Sequence, residues 1–304
     1  MDYCNLCPRG CKVNRNLGQK GVCGETNEIR VARASFHMWE EPPISGESGS
    51  GTVFFSGCPL HCVFCQNHNI ADGTNGQVVT TDELCSVFLH LQEKGAKNIN
   101  LVTATHFVPE IRGALIKAKR EGLSIPVVYN TSSYECVDTI KYLNGLVDIY
   151  LPDLKYVSSE LSKKYSNASD YFEVAKKAIE EMYRQVGPSN EEPKLIVRHL
   201  VLPGCVEDSK EVLKYLYDTY GDKIYISIMS QYTPLVGVLE EEEKKKKDNF
   251  SDLKRKLTNE EYDEVVDFAC DLGITKAFVQ ESEAAKESFI PDFENWNLKE
   301  FLNS

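Results

Sequence analysis

The sequence lacks any run of 18 consecutive apolar residues, and it lacks a basic start followed by an apolar stretch. A membrane-spanning helix needs the first feature and a secretory leader needs the second, so we expect a cytoplasmic protein without a membrane partner. Basic side chains are also few, with 34 Lys and Arg against 46 Asp and Glu and a formal net charge of -12. Because nucleic-acid binders usually carry a basic surface, this balance argues against a nucleic-acid partner.

Cysteine is plentiful instead, with 11 residues, several of them in tight clusters. In a reducing compartment such clusters are typical of metal ligands rather than of a disulfide framework. The length of 304 residues suits one large α/β domain with a small appendage. We therefore divide the chain into a cysteine-rich, metal-binding N-terminal extension, residues 1–50, and a main domain, residues 51–304.

The segment 58–65, here called the cysteine loop, reads Cys58-Pro-Leu-His-Cys62-Val-Phe-Cys65. Three thiolates spaced in this way can bind three irons of a four-iron cluster, which normally takes four cysteine ligands. The fourth iron is then open to a substrate or a cofactor. The alternative is a structural zinc loop in which His61 or His68 supplies the fourth ligand.

With Phe64 before its last cysteine, the cysteine loop resembles that of the radical S-adenosylmethionine (SAM) superfamily. The continuation to Asn67 is similar to the same segment in enzymes like the pyruvate formate-lyase activating enzyme. The resemblance implies a catalytic 4Fe-4S cluster on Cys58, Cys62 and Cys65, whose open iron chelates the amino and carboxylate groups of SAM. It also implies that Phe64 and Asn67 lie beside the bound cofactors.

A second group of cysteines lies in the N-terminal extension, where Cys4, Cys7, Cys11 and Cys23 are spaced by two, three and eleven residues. A structural zinc site is one interpretation, because closed four-cysteine sites stabilise segments too small to hold a core. A second iron-sulfur cluster is another, since four thiolates also suit an electron-relay cubane. Free thiols in a loop are the third.

From about residue 51 onward, short aliphatic or β-branched runs alternate with amphipathic stretches, which is typical of a parallel sheet built from βα units. The radical SAM families have a partial barrel of six such units, and the resemblance covers about residues 51–295. We therefore predict an α/β fold, a partial (β/α)6 TIM-like barrel with a small cysteine-rich N-terminal extension. The predicted strands are Thr52–Phe55, Asn98–Val102, Pro126–Tyr129, Val147–Leu151, Leu195–Leu202, Ile224–Met229 and Lys276–Gln280.

Helix signals lie between these strands. The segments Thr80-Thr-Asp-Glu83 and Thr258-Asn-Glu-Glu261 each predict a capping box at the start of a helix. A run of Glu at 240–243 followed by Lys at 244–247 predicts a solvated helical or mobile segment, because Glu four residues before Lys supports a helix face. A docking site for a partner is the alternative for this run.

Active sites of closed barrels lie at the carboxyl ends of the strands. After the second predicted strand the activating enzymes have Gly-Gly-Glu, which receives the SAM amino group, whereas this chain has Thr-Ala-Thr105-His106. Thr105 or His106 could accept an ammonium proton instead. After the third strand, Asn130, Thr131 and Ser132 resemble the family segment that lines the ribose pocket. A ligand-free rim histidine and a polar turn are the alternatives.

The fourth strand ends in Asp153-Leu-Lys155, which resembles the family's Leu-Asp-X-Lys segment beside SAM. Alternation places both side chains on one side of the strand, where Lys155 could meet the SAM carboxylate and Asp153 could hold Lys155 or a metal cation. A surface ion pair is the alternative. In the fifth strand, Arg198 corresponds to a family Arg near SAM or substrate, and the adjacent His199 should point to the other side of the sheet.

The remaining cysteines lack metal-like spacing. Cys85 and Cys270 lie in amphipathic helical stretches, so we expect both to pack in the interior as small buried thiols. Cys205 follows a Pro-Gly turn at a strand end and is a minor catalytic candidate. The polar residues that end the last two predicted strands, at 230–232 and 280–281, are candidate substrate contacts.

Three functional hypotheses follow. The resemblance implies reduction of the cluster by one electron, cleavage of SAM and hydrogen abstraction by a 5'-deoxyadenosyl radical. The first hypothesis is an activating enzyme that acts on a glycyl-radical enzyme, with a flavodoxin- or ferredoxin-type electron donor. The second, favoured by the missing Gly-Gly-Glu, is a radical enzyme acting on a free amino acid, peptide or other small molecule. The third is a non-catalytic metal-binding or electron-transfer protein.

Overall fold

Strands and helices alternate along the chain, as the sequence predicts. The computed structural model describes residues 3–190, 192–280, 291, 293 and 295–304. Within these residues the strands are β1 (Ile29–His37), β2 (Ser50–Phe55), β3 (Gln77–Val79), β4 (Ile99–Val102), β5 (Val127–Thr131), β6 (Ile149–Pro152), β7 (Ile196–Leu200), β8 (Tyr225–Met229) and β9 (Ala277–Val279). The α-helices are α1 (Pro42–Ser45), α2 (His68–Ala71), α3 (Thr81–Glu93), α4 (Val108–Arg120), α5 (Val137–Lys141), α6 (Ser159–Ser166), α7 (Tyr171–Val186), α8 (Val206–Tyr220), α9 (Val236–Lys246), α10 (Asn259–Leu272) and α11 (Leu298–Asn303).

The described strands form one six-stranded and one three-stranded sheet. In the first, with the order β3-β1-β2-β4-β5-β6, strands β2, β4, β5 and β6 run parallel, and β1 is antiparallel to both of its neighbours. The second sheet contains β7, β8 and β9, all parallel. Isolated parallel bridges, Tyr150 with Leu195 and Asp153 with Arg198, connect β6 to β7. The parallel strands therefore follow one another in chain order across both sheets.

The seven strands predicted from the sequence are present as β2 and β4 to β9, with ends shifted by at most two residues. The predicted α/β class is therefore confirmed. The sequence does not predict β1, which lies within residues 1–50 and yet pairs with β2. A bulge between Val31 and Arg33 breaks the alternation of β1, so Val31 and Ala32 are both buried.

Both predicted capping boxes are confirmed. At the start of α3, the Glu83 N–H donates to the Thr80 hydroxyl at 3.2 Å, and the Thr80 N–H donates to the Glu83 carboxylate at 2.8 Å. Thr258 and Glu261 form the same pair at the start of α10. Such a cap stabilises a helix by about 1 kcal/mol. No helix in the described part of the chain is long and apolar enough to cross a membrane.

The charged run at 240–247 forms most of α9, as predicted. Leu239 is the buried residue of this helix, and the Glu and Lys side chains face solvent or one another. Lys254 reaches back from the following segment to Glu243, with 2.7 Å between the ammonium nitrogen and the carboxylate oxygen. The helix is therefore a solvated surface element stabilised by ion pairs of modest strength.

The isolated cysteines differ in burial according to their position on the helices. Cys85 in α3 is buried, as predicted, but Cys270 in α10 is exposed. The prediction of an interior Cys270 was wrong because α10 packs through a face that includes Val265 and Ala269, and Cys270 lies outside that face. Cys205 is buried at the start of α8, and burial raises the pKa of its thiol to about 11.

The floor segment, residues 38–47, includes α1 and lies against the amino ends of the parallel strands. Ile44 packs against Val128, Leu151 and Ile196 in an interior cluster. Asn98, just before β4, donates its side-chain amide to the Ile44 carbonyl oxygen at 2.7 Å. The floor segment thus covers one end of the parallel strands, and the cysteine loop follows the carboxyl end of β2 at the other.

Candidate active site

A cavity of about 890 Å³ lies where the cysteine loop meets the carboxyl ends of the parallel strands. Its volume falls at the upper end of the range for small-molecule sites, so it has room for SAM and a further group. Cys62, Phe64 and Cys65 line it from the cysteine loop. Other described lining residues are Gln66 and Asn67 after the loop, Asn130, Asp153, Lys155, Arg198, Gln231 and Gln280 at or near strand ends, and Glu40 and Glu41 in the floor segment.

The cysteine loop brings hydrogen-bond donors to its own sulfurs. The Leu60 N–H donates to the Cys58 sulfur at 3.4 Å, and the Ser166 hydroxyl, at the end of α6, donates to the Cys62 sulfur at 3.0 Å. Donors of this kind surround iron-sulfur clusters and tune their reduction potentials. The loop is therefore equipped for sulfur atoms that carry negative charge.

Phe64 and Gln66, which follow Cys62, are held by ring contacts and by a side-chain hydrogen bond. Gln66 donates its side-chain amide to the Gln231 carbonyl oxygen at 2.8 Å, so the loop is tied to the segment after β8. The predicted substrate-contact positions Gln231 and Gln280 both line the cavity, whereas Glu281 lies outside the described residues. The Phe64 ring meets three tyrosine rings edge-on, those of Tyr156, Tyr165 and Tyr232.

Burial raises the pKa of all three loop thiols, and it raises that of Cys65 to about 12. The neighbouring Cys58 and Cys62 thiols raise the pKa of Cys65 further. Lys155 opposes the shift at each of them. Thiols in such surroundings keep their protons at neutral pH until a metal replaces them.

The donor set of the loop fits a four-iron cluster better than a zinc ion. Each cysteine of a cubane binds a different iron, whereas zinc needs four ligands around one point. Among the described residues, no three His, Cys, Asp or Glu side chains converge as a single metal ion requires. His61, one candidate for a fourth zinc ligand, has its Nε2 2.8 Å from the Val22 carbonyl oxygen instead.

A charged network crosses the cavity between β6 and β7. Asp153 accepts from Arg198 Nε at 2.9 Å and from Lys155 Nζ at 2.6 Å. Burial by itself would raise the pKa of Asp153, but the two cations outweigh it and hold this pKa below its usual range. Arg198 also donates to the side-chain oxygen of Asn130 at 2.6 Å. Four of the residues predicted at strand ends are therefore brought together in one hydrogen-bonded group.

Sequence reasoning missed two carboxylates of this cavity, those of Glu40 and Glu41. One oxygen of Glu40 accepts from the amides of Asn100 and Asn130 at 3.1 and 3.2 Å, and the other accepts from Arg198 at 3.1 Å. Burial raises the pKa of Glu40, and Arg198 opposes that shift. The available signal was an acidic pair directly before two prolines, inside an otherwise apolar segment.

Other predicted SAM contacts lie outside the cavity lining. Thr105 and Thr131 both donate their hydroxyls to Glu135 at 2.6 Å, and Tyr129 does so at 3.0 Å. Burial raises the pKa of Glu135 to about 7. Ser132 is likewise not among the lining residues in the described part of the chain. These hydroxyls therefore surround a buried carboxyl group, and SAM contact by them stays a prediction.

The two histidines at strand ends are both buried and neutral. His106 has its Nε2 2.7 Å from the Ser56 carbonyl oxygen, and burial lowers its pKa to about 3. His199 has its Nδ1 2.8 Å from the Leu154 carbonyl oxygen, and burial lowers its pKa to about 4. Neither is among the described residues that line the cavity.

The end of β4 is strained. Thr103 has a φ of +58°, which is rare for a β-branched residue, and its N–H donates to the Asn130 carbonyl oxygen at 3.0 Å. Glycine adopts such a φ without strain, whereas a threonine does not. Backbone strain of this kind is concentrated at functional sites.

The N-terminal cysteines form a second group of neighbouring thiols. A Cβ on Gly21 would lie 3.5 Å from both the Cys11 and the Cys23 sulfur, so these two sulfurs flank the same glycine. Burial raises the pKa of Cys7 to about 12, and Cys23, Cys11 and Cys4 each raise it further. The Cys11 and Cys23 sulfurs are therefore neighbours, but no three such ligands converge on one point among the described residues, so a metal site on Cys4, Cys7, Cys11 and Cys23 stays a prediction.

The N-terminal segment is attached directly to the cysteine loop. Arg9 donates to the carbonyl oxygens of Pro59 at 2.8 Å and Leu60 at 3.3 Å, both inside the loop. It also donates to the carbonyl oxygens of Ser166 at 3.0 Å and Asn167 at 2.6 Å, at the end of α6. One guanidinium thus joins three segments of the chain around the cysteines.

Comparison with known proteins agrees with this geometry. Residues 52–216, more than half of the chain, match the radical SAM superfamily. The chain is also similar to an uncharacterized protein of Methanocaldococcus jannaschii, with 28% identity over 273 residues that cover 88% of this chain and 74% of that protein. The match contains the cysteine loop and the cavity residues Asn130, Asp153, Lys155 and Arg198. The protein therefore belongs to the radical SAM superfamily, whose members are enzymes that use a 4Fe-4S cluster and SAM.

Proposed function

We propose that this protein is a radical SAM enzyme that activates a glycyl-radical enzyme by removing a hydrogen atom from a glycine of that partner. The observation that carries the proposal is the shared cavity, because Cys62 and Cys65 line the same space as Asn130, Asp153 and Lys155. Cluster ligands and expected SAM contacts therefore face one volume. Cys58, Cys62 and Cys65 would hold a 4Fe-4S cluster, which would supply the electron for reductive cleavage of SAM.

Within the cavity, Lys155 is the better candidate for the SAM carboxylate. Its ammonium has three N–H donors, and Asp153 takes one of them. The guanidinium of Arg198, by contrast, already donates to Asp153, Glu40 and Asn130. Arg198 then acts as a positioning residue that holds Asp153 and, through it, Lys155.

A polypeptide substrate is supported by the rim of the cavity. Met38 and Val279 line it and are 44% and 51% exposed. Apolar side chains that remain exposed beside a cavity are suited to contact with another protein. A small-molecule substrate is the second candidate, and the buried polar floor around Glu40 favours it.

We also propose a partial barrel for the parallel strands β2 and β4 to β9, with residues 1–50 adding β1 and the second cysteine group. The parallel bridges between β6 and β7 support a continuous curved wall. A cytoplasmic setting and a flavodoxin- or ferredoxin-type electron donor accompany this proposal, since the cluster has to be reduced.

The N-terminal cysteines are proposed as a second metal site, with zinc and an iron-sulfur cluster as the two candidates. The hydrogen bonds from Arg9 to Pro59 and Leu60 bring the segment of these cysteines beside the cysteine loop, which supports a role close to the catalytic cluster. Metal analysis and Mössbauer spectroscopy of a variant with Cys58, Cys62 and Cys65 all changed to Ala would separate the candidates. Zinc in that variant indicates a structural site, and remaining iron with sulfide indicates a second cluster.

The first experiment is 5'-deoxyadenosine formation by protein reconstituted anaerobically with iron and sulfide and supplied with SAM and dithionite. The triple-alanine variant of the cysteine loop is the matched control. We expect product with the wild-type protein alone. Product from neither protein would overturn radical SAM catalysis and favour a metal-binding or electron-transfer role.

The second experiment addresses the substrate. Reconstituted protein, SAM and reductant are mixed with glycyl-radical enzymes, and a protein radical is sought by electron paramagnetic resonance. A glycyl signal that requires the intact cysteine loop supports the activating role. Product formation without such a signal for any partner tested moves the proposal to the small-molecule alternative.

A further inference from the structure

Glu41 is a buried carboxylate in the cavity that is left only partly satisfied. The residue is 8% exposed and lines the cavity from the floor segment. Its Oε2 has no hydrogen-bond partner among the described residues. The Ser227 hydroxyl, on β8, bonds to the same carboxylate group. A buried carboxylate oxygen without a partner is costly, so a partner is expected from outside the protein.

The backbone holds Glu41 in this position. Its carbonyl oxygen accepts from the N–H groups of Ile44 at 2.8 Å and Ser45 at 3.1 Å, and Pro42 follows directly at the start of α1. Because Ile44 is itself buried in the interior, the backbone at Glu41 is fixed beside the cavity. The site is therefore built into the fold rather than formed by a mobile loop.

Carboxylates outnumber Lys and Arg side chains among the described residues that line the cavity. Asp153 is paired with both cations of the lining, Lys155 and Arg198, and Glu40 is bonded to Arg198 and to two amides. Among the described carboxylates that line the cavity, Glu41 is thus the one with an oxygen that can still accept a hydrogen bond. Burial raises the pKa of Glu41, Arg198 opposes the shift, and Glu40 adds to it, so a cation bound at Oε2 would favour the ionised carboxylate.

We propose that Glu41 is a substrate-binding residue that accepts a hydrogen bond from an ammonium or guanidinium group of the substrate. A cation supplies both the missing donor and the missing charge, which a neutral donor would supply only in part. The inference rests on the proposed function, since it takes this cavity as the place where the substrate binds. It narrows the substrate to a free amine or guanidine, or to a polypeptide with a basic side chain beside the reacting glycine.

The test compares matched cationic and neutral probes by calorimetry on reconstituted protein saturated with SAM. Glycinamide and N-acetylglycinamide represent the free amine, and a blocked Gly-Lys-Gly peptide and its side-chain-acetylated form represent the basic polypeptide. We expect the cationic member of one pair to bind about tenfold more tightly than its neutral partner, because one charged hydrogen bond is gained. The pair that shows the preference identifies the source of the cation.

The substitution Glu41→Gln keeps the shape of the side chain and removes its charge, so it should abolish most of this preference. Glu110→Gln is the control, because Glu110 also has a carboxylate oxygen without a partner in the described part of the chain but is not one of the described cavity residues. Equal binding of both members of each pair by the wild type, or an unchanged preference in Glu41→Gln, would overturn the proposal. Should Glu41→Gln not fold, Glu41→Asp decides, since it must keep a preference for the cation.

Binding measurements and product assays together distinguish a wrong role for Glu41 from a wrong reaction. Cation preference is measured again in the variant with Ala at all three loop cysteines, which should retain it because Glu41 lies in the floor segment. A wild-type protein that shows the preference but makes no 5'-deoxyadenosine supports the binding site and removes the proposed reaction. Active protein without any preference supports the reaction and removes the role of Glu41.

Discussion

The hydroxyl of Ser166 lies 3.0 Å from the sulfur of Cys62, so the last residue of α6 donates a hydrogen bond into the cysteine loop. Such a bond stabilises negative charge on a ligand sulfur and favours the reduced state of a cluster. We therefore expect Ser166→Ala to lower the reduction potential of the reconstituted cluster. A redox titration followed by electron paramagnetic resonance measures the shift.

Ser162→Ala is the matched control for this prediction, because Ser162 lies in the same helix and donates to the Ser159 carbonyl oxygen. The reduction potential of the cluster in Ser162→Ala should equal that in the wild-type protein. An unchanged potential in Ser166→Ala would show that the hydroxyl does not act on the cluster.

The cysteines of the loop and the isolated cysteine of α10 should respond in opposite ways to substitution. Cys62→Ala removes a cluster ligand and should abolish 5'-deoxyadenosine formation. Cys270→Ala should change the unfolding free energy by less than about 0.5 kcal/mol, because Cys270 is exposed. Product assays and urea unfolding test the pair, and turnover by Cys62→Ala would contradict the cluster assignment.

The buried carboxyl group of Glu135 should make stability depend on pH. Burial raises its pKa from 4.5 to about 7, so the folded protein keeps a proton here that the unfolded chain has lost between these values. This contribution to stability is fully present below pH 4.5 and is lost as the pH rises through 7. We expect the unfolding free energy to fall by roughly 3 kcal/mol over this range from this group alone.

Glu135→Gln carries no titrating proton and still offers an oxygen to the hydroxyls of Thr105, Thr131 and Tyr129. Urea unfolding at several pH values from 5 to 8 should therefore show a flatter profile for this variant than for the wild type. The exposed Glu93→Gln should reproduce the wild-type slope. Identical slopes in all three proteins would rule out a proton on Glu135.

Arg9→Lys tests the attachment of the N-terminal segment to the cysteine loop. Lysine keeps the charge but cannot reach several carbonyl oxygens with a planar fork of donors. We expect a loss of about 2 kcal/mol in unfolding free energy, measured by urea unfolding, because several hydrogen bonds to carbonyl oxygens are lost. The exposed Arg112→Lys should have almost no effect, and an equal loss in both variants would contradict the role of Arg9.

The parallel strands were predictable because each is a short apolar run bounded by polar or turn residues. Strand β1 was not, since its bulge buries Val31 and Ala32 in succession and removes the alternation that identifies a strand. Its pairing with β2 depends on residues far along the chain. The local sequence pattern of β1 therefore does not reveal that it pairs with β2.

The same limit applies to the cavity. Cys58, Cys62 and Cys65 were recognisable because their chemistry is encoded in one short segment. Glu40 and Glu41 were missed because their function depends on the floor segment folding against distant strands. Thr105 and Thr131 follow strands where ligand contacts are common, but a buried Glu135, three residues beyond the predicted segment, takes both hydroxyls. A carboxyl group of this kind competes with a ligand for the same donors.

The four carbonyl contacts of Arg9 also set an order of events in the synthesis of the chain. They join residues that lie 50 to 158 positions apart, so they cannot all form until Asn167 has left the ribosome. Until then the cysteine loop lacks both the guanidinium that braces it and the serine that donates to Cys62. Iron and sulfide can therefore be inserted into a cysteine loop with these supporting contacts only after more than half of the chain has been made.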